Sequence, residues 1–469
     1  MAERATIENR TFEEIAIGES ASLEKAITRE DIELYAAVSG DANPTHLDEE
    51  FAAKSPFKGV VAHGMLTAGL ISNLLGNKLP GAGTIYLGQD LRFHRPVRAG
   101  DVVTVTVTAK EKRPEKRIVV FDCRCTNQRG EVVLTGTAEV IAPKEKVRQP
   151  APSLPQVTVR RHEKYERLIE RTRGIPPIPC AVAHPCEKSA LEGALLAAER
   201  GIIVPILVAP IAKLRRIAEE AGRSLEGFEI VDVPHSHAAA AKAVELVRAG
   251  KAQLLMKGSL HTDELMAEVV ARETGLRTER RISHVFIMDV PTYPDPLFIT
   301  DAAINIFPDL ETKRDIVQNA IDLHIGLGLG EPRVAILSAV ETVTPKIPGT
   351  IEAAALCKMA ERGQITGGLL DGPLALDNAI SVEAAEMKGI RSAVAGRAQI
   401  LVVPDLEAGN MLAKNLSFLA GADAAGVVLG ARVPIILTSR ADNVRTRLAS
   451  AAVAALYAHA RMTGKPAAE

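Results

Sequence analysis

SGDANPTHLD, residues 39–48, sets a carboxylate, Asp41, and an imidazole, His46, five residues apart. Pro44 lacks a backbone N–H and biases Asn43 away from the helical region, and Gly40, Asp41 and Asn43 all favour turns. A loop rather than regular helix is expected there. Loops held on rigid scaffolds often carry catalytic groups, so Asp41 and His46 are candidates for one active site. Taken alone, the same residues also suit a plain turn with a packed histidine.

The wider pattern is more specific. Tyr35 and a short apolar spacer precede the motif, residues 47–51 follow it, and Ala52 comes next. VVAHGMLTAGLIS (residues 60–72) and RFHRPVRAGD (residues 92–101) lie further on. Across residues 8–145 this resembles the (R)-specific enoyl-CoA hydratases of the MaoC-like family, with Thr45 where the family more usually has Leu, Ile or Val. The resemblance implies an α+β hot-dog fold, an antiparallel sheet around a helix. It also implies that Asp41 and His46 hold and activate one water, and that the Gly64 N–H binds the thioester oxygen. Asn43 would orient the water or the Asp41 carboxylate, Ser72 would belong to the acyl pocket, and no metal is required. Those groups suit the chemistry, because hydrating a 2-enoyl thioester needs a base, an acid and a donor for the enolate oxygen.

Local patterns agree with that fold. Residues 28–38 show helical spacing with Thr28 placed as a cap, and residues 60–75 read as a buried helix. Residues 101–109, 117–126 and 131–141 read as strands separated by turns. At 469 residues the chain exceeds one comfortable core. Residues 143–155, PKEKVRQPAPSLP, mix charge, Pro and Ser without apolar periodicity and mark a linker. The expected division is therefore 1–145, a linker at 146–158, and 159–469.

Beyond the linker, short apolar runs alternate with helical segments, which is βαβ patterning. Strands are expected at 180–183, 205–209, 229–233, 253–256, 284–289, 333–337, 400–403 and 434–437. The expected architecture is a layered α/β fold with a mainly parallel sheet, in two subdomains. Five stretches carry the chemistry: LMKGSLHTDELM (255–266), ITDAAINIFPD (299–309), LLDGPLALDNA (369–379), VVPDLEAGNML (402–412) and VPIILTSRAD (433–442). Together and in this order they resemble the phosphate acetyl- and butyryltransferases, and the LDNA and LTSRAD forms look closer to the butyryl branch. The resemblance implies acyl transfer between CoA and inorganic phosphate, with no bound cofactor.

That reaction needs donors around a dianion and a base for the thiol. Arg440, with its planar donor fork, fits the phosphate, and Ser439 can donate to the carbonyl or phosphoryl oxygen. Asp442 and Asp371 compete as the base. Gly409 and Asn410 are expected to open a helix whose amides bind phosphate. Gly258 and Ser259 hold a similar place, but Asp263 and Glu264 would repel an anion there, so Ser259 reads as a helix cap and Lys257 as the phosphate group.

Composition is that of globular domains: 47% hydrophobic, 24% charged, formal net charge −2. It favours no nucleic-acid partner, and no apolar run reaches the length of a membrane span. The N-terminus lacks an apolar core, which makes cytoplasmic residence the default expectation. Cys123 and Cys125 share a strand face, and Cys180 and Cys186 bracket His184 without a fourth ligand. Structural cysteines are therefore expected, with no metal site. Gly326, Gly328 and Gly330 follow an expected helix and precede a strand, the reverse of a dinucleotide loop, which makes NAD-dependent chemistry a weaker alternative. The reading is a fused, homo-oligomeric enzyme acting on enoyl-CoA, acyl-CoA, CoA and phosphate. The competing reading has one domain catalytically silent, serving as a CoA-binding or oligomerising module.

Overall fold

The computed structural model describes residues 6–153, 155, 157, 159, 163–437 and 444–466. The chain divides into two compact units, Met1–Val159 and Arg160–Glu469.

In the first unit a five-stranded antiparallel sheet runs in the order Ser20–Ala26, Val102–Arg113, Ile118–Thr126, Val132–Ile141, Ile85–Phe93. It packs on the helix Gly64–Asn77, which buries Thr67, Ala68, Ile71, Leu74 and Leu75, the i, i+4, i+7 stripe of a helix facing a core. Val103, Val105 and Val107 alternate with half-buried threonines on the facing strand, as a one-sided sheet requires. This is the hot-dog arrangement. The central helix begins at Gly64 and not at residue 60, because Val61 and Ala62 donate outside the helix, to the carbonyls of Thr45 and Val97. Helix Arg29–Ser39 starts as its sequence implies, with Thr28 and Asp31 in a reciprocal capping box, a motif worth about 1 kcal/mol.

Part of the expected linker is structured. Arg148–Pro150 pairs antiparallel with Thr6–Glu8, so the chain leaving the sheet is held by the chain that enters it.

The second unit has one eleven-stranded sheet among the described residues. Its order is Glu229–Asp232, Ile203–Ala209, Ile178–Ala183, Leu254–Lys257, Ile435–Ile436, Asp423–Leu429, Ser283–Asp289, Leu297–Thr300, Ile400–Val402, Arg333–Leu337, Leu369–Leu374. The first five strands are mutually parallel, as are the last four; Asp423–Leu429 and Ser283–Asp289 join the two wings through antiparallel pairings. The two expected subdomains thus take the form of two parallel wings of one continuous sheet. The helix Val444–Thr463, buried from Thr446 to Ala458, packs against both Asp423–Leu429 and the helix Lys188–Glu199.

Gly326 ends the helix Leu310–Gly326, and Gly328 and Gly330 take positive φ before Arg333–Leu337. They are helix-stop glycines. The five cysteines are free. Burial pushes the thiols of Cys123, Cys125 and Cys357 up to about 12, that of Cys186 up to about 11, and that of Cys180 well up, as packing residues would have it. Among the described residues no helix is long and apolar enough to cross a membrane.

Candidate functional site

Gly40, in the left-handed region, ends helix Arg29–Ser39 and turns the chain so that Asp41 follows at once. The Ser39 hydroxyl accepts from the Asp41 N–H at 3.2 Å, and the Asp41 carboxylate accepts from the Asn43 N–H at 3.2 Å. The expected loop lasts only to Asn43. Pro44 opens a one-turn helix, Pro44–Leu47, at the first position, where a missing N–H costs nothing. His46 therefore sits on a short helix and not on a loop. Asn43 caps that turn through its side-chain oxygen, which accepts from the Thr45 N–H at 3.0 Å. Its orienting effect on Asp41 comes from the backbone, while its side-chain oxygen is committed to the cap.

The half-buried His46 places Nδ1 2.7 Å from the Val61 carbonyl oxygen. A carbonyl only accepts, so Nδ1 carries the proton and Nε2 of the neutral ring keeps its lone pair. Asp41 is exposed beside it. Gly64 is the first residue of the central helix, where amide N–H groups lack intrahelical partners and suit a developing negative charge. A Cβ at Gly64 would lie 2.9 Å from the ring of the half-exposed Phe93, so a larger residue there would have to displace that ring. Ser72 lies eight residues further along the helix, about 12 Å at the helical rise, and is exposed.

His63, the residue before Gly64, joins this group without any sequence motif to mark it. Its ring is 2% exposed. It lies 3.8 Å from the His46 ring between centroids and 4.9 Å from the Tyr35 ring, and its Nε2 is 3.1 Å from the Asp41 carbonyl oxygen. Asp41, His46 and His63 are the one set among the described residues whose ligand atoms, all within 4.8 Å of one another, could hold a metal ion. The two rings, however, lie face over face with a 32° tilt. His46 Nδ1 and His63 Nε2 are committed to the Val61 and Asp41 carbonyls, which leaves one nitrogen on each ring.

In the second unit, Lys257 ends the strand Leu254–Lys257, 4% exposed, with Nζ 3.2 Å from the Leu260 carbonyl oxygen. Ser259 is not a helix cap. The helix Thr262–Val270 has His261 at its N-cap position, and the Ser259 hydroxyl instead donates to the His184 carbonyl at 2.9 Å. That spends its one proton, so the His184 Nδ1–H donates to the Ser259 oxygen at 3.1 Å. His184 follows the strand Ile178–Ala183 at φ +54°, a conformation uncommon outside glycine and often kept for function. Burial, and then the charge of Lys213, hold its pKa below the usual histidine value, while Glu264 opposes them. His184, Lys213, Ser236, Ser259 and Glu264 help to line a pocket of about 430 Å³ at the carboxyl ends of these two parallel strands, the usual ligand-binding end of an open α/β sheet. No local sequence pattern marks His184 or Lys213 as part of this pocket.

Two expectations change. Gly409 and Asn410 do not open their helix. Leu406–Phe418 starts three residues earlier with Asp405 as its cap, and the Gly409 N–H already donates to the Asp405 carbonyl. Gly409 is glycine because a Cβ would lie 2.8 Å from Val403 and 3.0 Å from Ala302, and the Asn410 amide donates to the Ala302 carbonyl at 3.3 Å. These are packing roles, and a carboxylate stands where a phosphate would have to be. Asp371 lies on Leu369–Leu374, seven strands along the sheet from Leu254–Lys257, roughly 30 Å at ordinary strand spacing. Its carboxylate accepts from the adjacent Gly372 N–H at 2.8 Å. It is no neighbour of Lys257 or Ser259. Ser439, Arg440 and Asp442 lie outside the described residues.

The antiparallel sheet on its central helix, with its Asp–His pair, and the two-winged α/β sheet of the second unit define a two-domain chain of hot-dog and phosphotransacylase folds. A family model described as "MaoC like domain" matches residues 13–127, and one described as "Phosphate acetyl/butaryl transferase" matches residues 235–455. The phosphate acetyltransferase of Rhizobium meliloti is 74% identical over 305 residues, 65% of this chain and 96% of that protein. The branched-chain phosphotransacylase from Enterococcus faecalis V583 superposes with a TM-score of 0.54 at 31% identity, covering 60% of this chain and 99% of its own. The R-hydratase from Pseudomonas aeruginosa is 44% identical, covering 33% of this chain and 99% of its own, at a TM-score of 0.32. The chain belongs to the phosphate acetyl/butyryltransferase family and carries a MaoC-like domain ahead of its transferase domain.

Proposed function

We propose that the chain is a bifunctional CoA-thioester enzyme. Its second unit transfers an acyl group between CoA and phosphate, and its first hydrates trans-2-enoyl-CoA to (R)-3-hydroxyacyl-CoA. Acyl transfer is supported by the 74% identity to a phosphate acetyltransferase over nearly that protein's whole length. The same identity favours acetyl over butyryl as the acyl group, against the leaning of the LDNA and LTSRAD motifs. The pocket beside His184, Lys213 and Ser259 is the proposed binding region, with Lys257 beneath it, Ser439 and Arg440 at the phosphoryl group, and Asp442 as the remaining candidate base.

Hydration is carried by a single observation: the His46 Nε2 lone pair and the Asp41 carboxylate share one site at the N-terminus that presents Gly64. A water held by the pair loses a proton to His46 Nε2 as its oxygen bonds to C3. The electron pair of the C2–C3 double bond moves toward the thioester oxygen, where the Gly64 N–H donates, and the proton returns to C2 as the carbonyl re-forms.

CoA release from acetyl-, butyryl- and longer acyl-CoA with phosphate tests the first activity and ranks chain length. Crotonyl-CoA hydration with analysis of product configuration tests the second. An (S)-alcohol would reject the MaoC-type assignment. Absence of hydration by a protein active in transfer would leave the first unit as a silent CoA-binding or oligomerising module.

A further inference from the structure

We infer that His63 is a positioning residue of the hydration centre, tying the Asp41 loop, the His46 ring and the Gly64 amide into one rigid unit. The inference rests on the hydration reading above. Three separate contacts carry it. The His63 Nε2–H donates to the Asp41 main-chain carbonyl at 3.1 Å, the ring is stacked on His46 at 3.8 Å, and the residue itself is the N-cap position of the helix whose first amide is that of Gly64. Each of the three reacting groups is thus one contact or one peptide bond from the same side chain.

A core-filling role does not account for histidine at this position. The ring is 98% buried, yet Nδ1 has no hydrogen-bond partner among the described residues. Leaving a buried polar atom unpaired is unfavourable, and a phenylalanine would give the same stacking without that cost. What phenylalanine lacks is the N–H to the Asp41 carbonyl. Among the described residues, the Asp41 carboxylate otherwise accepts from the Asn43 backbone N–H, and the Asp41 N–H donates to Ser39, the last residue of the preceding helix; both partners are exposed. Among the described residues, the bond from His63 is the hydrogen bond that ties Asp41 to the start of the central helix. Displacing a reacting group by about 1 Å costs of the order of 100-fold in rate.

The test separates ring from donor. His63→Phe keeps the ring and loses the N–H; His63→Gln loses the ring but can present an amide N–H near the Nε2 position. With crotonyl-CoA, kcat is expected to fall about 10- to 100-fold in His63→Phe, with KM within about twofold, while His63→Gln stays within about fivefold of the parent because the donor is restored. Normal kcat in His63→Phe overturns the inference, as does a folded His63→Gln no better than His63→Phe. If thermal melting shows His63→Phe unfolded, a folded and active His63→Gln supports the inference, and loss of folding in both variants reduces His63 to a packing residue. A parent protein that does not hydrate crotonyl-CoA defeats the underlying reading, an outcome distinct from all of these.

Discussion

The imidazoles of His46 and His63 are stacked, 3.8 Å apart between centroids, although the two residues stand seventeen positions apart in sequence. The stack places the proposed base against a ring that is itself anchored to the main chain of Asp41. Asp41, His46, His63 and Gly64 all belong to the first unit.

It follows that Asp41→Asn and His46→Gln should each lower crotonyl-CoA hydration by at least about 100-fold, the usual contribution of a general acid–base group. Phosphate-dependent CoA release should stay at parent level. Either variant hydrating at near-normal rate would remove that residue from the mechanism.

Lys164 and Asp289 form a buried ion pair in the second unit. Lys164 Nζ lies 2.9 Å from the fully buried carboxylate and 2.8 Å from the Val290 carbonyl oxygen, and the Lys164 N–H donates to the same carboxylate at 3.1 Å. Lys164→Met strands the Asp289 charge and should cost about 3–5 kcal/mol in denaturant unfolding. Adding Asp289→Asn should recover part of that loss. A single variant as stable as the parent would mean the pair is solvated.

His284 is fully buried, and burial pushes its pKa down to about 3. The unfolded chain binds this proton near pH 6.5, the native state only near 3. The neutral ring's contribution to stability is therefore complete above about pH 6.5 and is lost progressively as pH falls toward 3. At pH 5.0 the loss from this group is about 2 kcal/mol. Denaturant midpoints measured from pH 7.5 to 5.0 should show it, and His284→Gln should flatten the slope. An unchanged slope in a folded His284→Gln would mean that another group sets the acid limit.

Ile85–Phe93 lies at an edge of the first unit's sheet, paired on one side only with Val132–Ile141. It exposes Ile85, Leu87 and Phe93 by about half. An open apolar edge invites pairing, and a homo-oligomer is expected by light scattering at micromolar concentration. Leu87→Lys should weaken it. A monomeric mass for the parent would contradict the expectation.

Arg440 is expected to matter more than any other side chain of the transferase unit, on the strength of the SerArg pair in its motif. Arg440→Lys keeps charge but loses the bidentate fork and should impair CoA release. Arg440→Ala should impair it by a further step of about 10- to 1000-fold, as removal of a transition-state donor does. Hydration should be unaffected. If Arg440→Ala keeps parental phosphate dependence, the phosphate group must be held elsewhere, with Lys257 the first alternative.

Much was legible from the chain because it is local. Thr28 and Asp31 stand three residues apart and cap a helix wherever it packs. The strands Val102–Arg113, Ile118–Thr126 and Val132–Ile141 show their alternation in their own residues, and Asp41 and His46 are close enough in sequence for one turn to bring them together. The order of the transferase motifs is likewise a property of the string. What sequence could not supply is adjacency set by sheet order and by packing between distant segments. His184 meets Ser259 across 75 residues because two parallel strands lie side by side. Asp371 is separated from Lys257 because its strand was placed in the other wing. The helix holding Gly409 begins at Leu406 because Asp405 caps it, a choice between neighbouring starts that propensity leaves nearly degenerate. His63 could be recognised only once the central helix had packed, since stacking and burial are properties of the assembled core.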